Sequence, residues 1–116
     1  MLFAALACFA MAAAGGATLA FLYFSRGKTP IPIALLHGLL AVSGVILLVI
    51  GMGQGHSGRI FAAALALFLI AALGGLVMFA AHMHKRPLPV PLLIAHAVFA
   101  LSGFLALLAG TLGYAV

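Results

Sequence analysis

Two histidines, His37 and His96, are the residues in this sequence whose type and spacing indicate chemistry. They stand 59 positions apart, each about one and a half helical turns inside a long apolar segment. Ionisable side chains within such segments are costly, and they usually serve a function. An imidazole can ligate a metal, relay a proton or donate a hydrogen bond. These two residues are therefore the first candidates for a site.

The composition predicts that lipid surrounds these histidines. Of the 116 residues, 68% are hydrophobic and 4% are charged, whereas about a quarter of residues in ordinary soluble domains carry charge. The sequence has no Asp or Glu, which excludes paired-carboxylate hydrolysis and a Ser-His-Asp triad. Its few basic residues are too scattered for a nucleic-acid surface. We therefore expect a membrane protein, not a stand-alone enzyme, with no catalytic residues to assign and no nucleic-acid partner.

Four hydrophobic runs must position the histidines. They cover residues 2–24, 32–53, 60–83 and 91–114, and each is long enough to cross about 30 Å of hydrocarbon as a helix. Prolines stand at the entry of the second and fourth runs, where a missing N–H costs little. The predicted fold class is an all-α membrane protein, a single domain over 1–116 with four transmembrane helices in an up-down bundle.

The sequence also aligns with itself. Residues 1–57 match residues 60–116 without a gap, with 17 identities. The informative identities are not alanine or leucine: they are Phe9/Phe68, Gly15-Gly16/Gly74-Gly75, Pro30/Pro89, Pro32/Pro91, His37/His96, Ser43-Gly44/Ser102-Gly103 and Gly51/Gly110. Each copy contains two spans and so begins and ends on one side of the membrane. This pattern predicts two tandem helical-hairpin repeats of parallel topology, with equivalent residues at equal depth.

The basic residues predict the orientation of the spans. Four of the five Lys and Arg residues lie in the first and third turns, at 25–31 and 84–90, and Arg59 alone lies in the second. Cytoplasmic loops carry an excess of Lys and Arg. We therefore expect both of these turns on the cytoplasmic side of a bacterial inner membrane, and both termini on the opposite side.

The neighbours of the histidines predict that both imidazoles point into the bundle. Heptad spacing places His37 on the same helical face as Gly44, and His96 on the same face as Gly103. Faces with small residues pack against neighbouring helices. In an up-down bundle the second and fourth spans are diagonal partners, so the two imidazoles converge near the axis. They are predicted to be the axial metal ligands of one b-type haem.

Small residues at similar depth complete the predicted cofactor site. Glycine pairs on the first and third spans can provide volume for the haem macrocycle, although small residues also promote helix packing without any cofactor. The serines beside the heptad glycines have a similar simple interpretation as packing residues. The predicted cofactor-binding set is His37, His96, Gly15, Gly16, Gly74, Gly75, Ser43, Gly44, Ser102 and Gly103.

Two functions remain open from the sequence. One is a small haem b electron-transfer protein or redox-complex subunit, whose partners are the lipid bilayer, other membrane subunits and a quinone. The other is a non-catalytic accessory subunit of a larger respiratory or photosynthetic complex, in which the histidines bind a chlorophyll-type pigment singly, hold another metal, or only fix helix packing. His82, at the end of the third span, fits either a quinone or haem propionate contact or a solvated interfacial cluster.

Overall fold

Four long helices account for most of the chain in the computed structural model, which describes residues 1–114. They are α1 (Leu2–Arg26), α2 (Ile31–Gly53), α3 (Arg59–Met83) and α4 (Val90–Thr111). Each is long and apolar enough to cross a membrane. The prediction of an all-helical membrane protein with four spans is confirmed within this part of the chain. The last two positions of the sequence alignment, 115 and 116, lie outside the described residues.

Left-handed residues and prolines set the ends of the helices at the first and third turns. Gly27 ends α1 in the left-handed conformation (φ 65°), and its amide donates to the carbonyl of Tyr23. At the end of α3 a lysine, Lys85, adopts that conformation (φ 56°). Pro30 and Pro89 precede α2 and α4, which begin with a further proline in the first turn. Proline suits these places because the first helical N–H groups have no partner to lose.

The helices pack as two closely joined pairs. α1 lies along α2 and α3 lies along α4, while α1–α4 and α2–α3 pack less closely. The remaining pairs, α1–α3 and α2–α4, are diagonal in the described bundle. A hydrogen bond of 2.7 Å joins Thr29 Oγ1 to His82 Nδ1 and so places the first turn beside the end of α3. The bundle measures 43 × 23 × 21 Å, a length that matches a bilayer with its headgroup regions.

Aromatic rings and leucines fill the centre of the bundle. Phe9 and Phe68 stack across the α1–α3 diagonal, with centroids 3.7 Å apart and planes within 4°. Leu48 and Leu107 are fully buried on α2 and α4. The outer faces are apolar as well, and Leu73, for example, is 66% exposed. Such an exterior is compatible with lipid, because no hydrophobic effect drives the burial of apolar side chains in an apolar medium.

Candidate functional site

His37 on α2 and His96 on α4 face each other across a diagonal of the bundle. Their ring centroids lie 6.1 Å apart, and the ring planes are inclined at 73°. Both side chains are half-buried. Helices α2 and α4 make no close backbone contact within the described residues, so the long imidazole side chains bridge the space that the two backbones leave. The site therefore consists of two rings on two separate helices.

One nitrogen of each imidazole is held by the neighbouring helix of the same pair. His37 Nδ1 lies 2.6 Å from the carbonyl oxygen of Ala12, and His96 Nδ1 lies 2.6 Å from that of Ala71. A carbonyl oxygen can only accept, so each Nδ1 carries the proton and donates it. In a neutral imidazole the other nitrogen, Nε2, then keeps its lone pair. The backbone thus selects the tautomer that leaves Nε2 as an acceptor.

The two Nε2 atoms have no hydrogen-bond partner among residues 1–114. At the same time, this part of the chain has no fully buried side-chain nitrogen or oxygen without a partner. The Nε2 atoms are therefore accessible to a group from outside the chain. Each Nε2 is thus free to accept a hydrogen bond or to ligate a metal.

The glycine pairs allow the imidazoles to lie against α1 and α3. A Cβ atom on Gly16 would stand 2.9 Å from His37 Cε1, and one on Gly75 would stand 3.2 Å from His96 Cε1. A Cβ atom on Gly15 would stand 3.5 Å from Cβ of His37, and one on Gly74 would stand 3.6 Å from Cβ of His96, which are ordinary contact distances. The sequence predicts that the volume over these glycines accommodates a haem macrocycle. In the structure the histidine rings occupy it, and the absence of side chains is what permits the close packing.

The heptad glycines accommodate the aromatic stack in the same way. A Cβ on Gly44 would stand 2.8 Å from the ring of Phe9, and one on Gly103 would stand 3.1 Å from the ring of Phe68. These glycines lie about two turns along the helix from the histidines. Phe9 and Phe68 therefore fill the bundle centre at that level, and the histidine pair lies between this stack and the first and third turns.

An open cleft lies at the end of the bundle formed by the first and third turns. Its volume is about 1040 Å³. Basic and polar side chains from both turns share its lining with apolar ones: Tyr23, Phe24, Lys28, Thr29, His82, Lys85, Arg86, Pro87, Leu88 and Val90. His82, for which the sequence allowed two interpretations, lies in this cleft. The rings of His37 and His96 do not line it.

A smaller groove of about 360 Å³ lies beside His37 on the α1–α2 pair. Met11, Leu36 and Gly15 are among the residues that line it. Met11 is 51% and Leu36 is 59% exposed, so the groove opens toward lipid. It offers one side of the His37 ring an apolar contact with a lipid or another hydrophobic molecule.

Ser43, Ser102 and His56 take no part in the histidine pair. Ser43 is exposed and Ser102 is half-buried, and no hydrogen bond joins either hydroxyl to a histidine. His56 packs edge-on against Phe61, with centroids 5.8 Å apart. Residues 1–114 contain no group of three or more His, Cys, Asp or Glu side chains that could hold a metal ion. Within residues 1–114 the pair therefore offers a metal two imidazole ligands.

The sequence gives little indication of the groups that hold the imidazoles. Ala12 and Ala71 act through their backbone oxygens, and alanine in an alanine-rich chain does not stand out. Both alanines are buried and lie in register in the self-alignment, so their repetition was the available signal. Thr29, which holds His82, has no counterpart in the second copy, where Leu88 aligns with it.

The arrangement can coordinate a metal that brings most of its own ligands, or it can hydrogen-bond one small polar molecule between two acceptors. Comparison with protein-family models, curated proteins and solved structures finds no match for this chain. Its chemistry therefore rests on the geometry of the two imidazoles.

Proposed function

We propose that this chain is a small membrane electron-transfer protein, or a subunit of a redox complex, that holds one haem b between Nε2 of His37 and Nε2 of His96. The observation that carries the proposal is the hydrogen bond from each Nδ1 to a helix carbonyl. Metal-ligating histidines almost always donate their second ring N–H to a carbonyl, carboxylate or water, which fixes the ring and makes the free nitrogen more basic.

The separation of the rings fits two axial ligands. Two metal–nitrogen bonds of about 2 Å, together with the radii of two imidazoles, place the centroids roughly 6 Å apart when both rings bind one metal. The observed value is 6.1 Å. A relaxation of the loosely packed α1–α4 and α2–α3 contacts is the route by which the bundle would admit a flat macrocycle between the rings.

The number of ligands favours haem over a bare ion. Structural zinc needs four ligands and catalytic zinc three, but this site offers two. A haem brings four equatorial nitrogens and requires only axial ligands from the protein. Two imidazoles with no carboxylate nearby match that requirement, and haem bound in this way would supply one-electron chemistry.

We also propose that the bundle consists of two tandem hairpin repeats. In support, contacts of the first pair of helices recur 59 positions later in the second pair: His37–Ala12 with His96–Ala71, and Gly44–Phe9 with Gly103–Phe68. A duplicated hairpin would bring two identical ligands to equal depth from opposite sides. This symmetry is a simple way to build a site for a metal with two equivalent axial positions.

The proposed location is a bacterial inner membrane with the first and third turns in the cytoplasm and both termini on the opposite side. The support is the charge distribution: Lys28, Lys85 and Arg86 line a cleft at one end, and only Arg59 lies at the other. The haem would lie nearer the first of these ends. One haem in one leaflet would need a quinone or another redox subunit as its electron partner.

A second candidate is an accessory subunit of a larger respiratory or photosynthetic complex, which binds a chlorophyll-type pigment through one histidine. The groove beside His37 is the observation in its favour, because it offers apolar contacts next to a single imidazole on the lipid-facing side. In that case the second histidine would only pack the bundle. The two candidates predict different ligands and different numbers of histidines in contact with them.

An absorption spectrum of the purified protein tests the proposal. We expect haem b at one per chain, with the reduced-minus-oxidised bands of a low-spin, six-coordinate iron, either as isolated or after titration with protohaem. A protein that is isolated without haem and does not bind added protohaem would contradict it. A bound chlorophyll-type pigment would support the second candidate instead.

A further inference from the structure

The cleft at the end of the bundle gathers positive charge from two separate turns. Lys28 comes from the first turn and Lys85 and Arg86 from the third, and His82 is held there by Thr29. The sequence contains no Asp or Glu that could neutralise them. No carboxylate side chain of this sequence can therefore serve as their anionic partner. An orientation signal requires basic residues on one side of the membrane, but it does not require them to converge on one cleft.

The backbone supports a specific placement of Lys85. Its φ of 56° lies in the left-handed region, which a side chain with a Cβ adopts at a cost of about 1–2 kcal/mol. Glycine is the usual residue at such a helix end, and Gly27 has that role after α1. A lysine where glycine is the easier choice places a cationic side chain beside the cleft at a cost in backbone energy.

The cleft lies above the histidine pair on the same end of the bundle. Tyr23, which lines it, is seven residues beyond Gly16, which contacts the His37 ring. At 1.5 Å per residue this separation is about 10 Å. The span is comparable with the reach from the iron of a haem to its two propionate carboxylates, which leave the macrocycle from one edge.

We infer that the basic cleft binds the propionate carboxylates of the haem, with Lys28, Lys85 and Arg86 as the cationic partners; this inference rests on the proposed function. Two equivalent histidines alone would leave the haem free to bind in more than one orientation within its own plane. The cations would select the orientation whose propionate edge faces the first and third turns. Charge-assisted hydrogen bonds of this type are roughly twice as strong as neutral ones. His82 and Tyr23 add polar groups at the same opening.

The test compares two porphyrins on matched variants of the full chain in nanodiscs of uncharged-headgroup lipid. The probes are protohaem and its dimethyl ester, which lacks the negative charges. The variant combines Lys28→Gln, Lys85→Asn and Arg86→Gln, since asparagine tolerates the left-handed conformation at position 85. We expect the dissociation constant of protohaem to rise by about two- to fivefold for each cationic partner removed, because all three side chains are exposed, while that of the ester stays unchanged.

Two control variants separate local binding from general charge. Arg26→Gln removes a charge at the same end without touching the cleft, and Arg59→Gln removes one at the opposite end. Neither should change the preference for protohaem over its ester. An equal effect of the triple variant on both porphyrins, or no effect on either, would overturn the inference and leave the proposed function standing. Failure of the unmodified protein to bind either porphyrin would overturn the proposed function itself.

Discussion

Replacement of either histidine by alanine, His37→Ala or His96→Ala, is expected to abolish the low-spin haem spectrum. Loss of a partner that only supports a ligating histidine already costs about 10–100-fold in metal affinity. Loss of an axial ligand should therefore weaken haem binding by at least about a hundredfold. Any haem that remains should be five-coordinate and high-spin. Titration of each purified variant with protohaem, followed by absorbance, measures both effects.

Three further substitutions keep this result interpretable. His56→Ala and His84→Ala remove exposed histidines outside the pair and should leave the spectrum unchanged. His96→Met keeps an axial ligand, so we expect it to retain low-spin haem with a raised reduction potential, as methionine ligation does in cytochromes c. Normal haem binding by His37→Ala with intact helical content would show that this imidazole is only a packing residue.

A methyl group on α2 at the aromatic stack is expected to destabilise the bundle more than the same change at Gly38 of that helix. In Gly44→Ala the new Cβ would stand 2.8–2.9 Å from three atoms of the Phe9 ring. That ring is held by its stack on Phe68 and has little room to move. Overpacking of this kind costs about 1–3 kcal/mol. Thermal unfolding in detergent, followed by circular dichroism, should show a lowered midpoint.

Gly38 provides the matched control on the same helix. Nothing lies within 4 Å of a Cβ built at this position, so Gly38→Ala should hold or raise the midpoint through the better helix propensity of alanine. The combination of Gly44→Ala with Phe9→Leu should recover part of the loss, because a smaller flexible side chain replaces the ring. Equal midpoints for the two single alanine variants would disprove the close packing of the stack.

The four helices follow directly from the sequence because their signal is local. In lipid, a run of more than twenty apolar residues can pair its backbone N–H and C=O groups within the run only as a helix. The turns carry proline and glycine where helices begin and end. The structure extends α1 two residues beyond the predicted span, to Arg26, because Gly27 and not the first polar residue ends the helix. Such ends depend on backbone conformation, which hydrophobicity alone does not report.

The approach of His37 and His96 could be anticipated because both lie on glycine-bearing faces of diagonal helices. The partners of their Nδ1 atoms could not, since Ala12 and Ala71 use backbone groups that every residue possesses. The role of Gly16 was also out of reach. A glycine that admits a histidine ring and one that admits a cofactor are identical in the sequence, and only the position of the ring distinguishes them.

The basic cleft at the first and third turns could not be predicted from the sequence. Lys28 and Lys85 lie far apart in the chain and do not align in the two copies. Their convergence depends on how the first turn folds back to α3, through the hydrogen bond between Thr29 and His82. A single long-range contact of this kind leaves no periodic pattern in the sequence.

Electron paramagnetic resonance of the oxidised protein, loaded with one protohaem per chain, tests the central claim most directly. Two imidazoles on one ferric iron give a low-spin signal, and ring planes inclined near the 73° of His37 and His96 give its strongly anisotropic form. We predict that signal for the unmodified protein and its loss in either alanine variant. A high-spin signal from the unmodified protein, or a low-spin signal that survives in His96→Ala, would contradict a haem held by these two histidines.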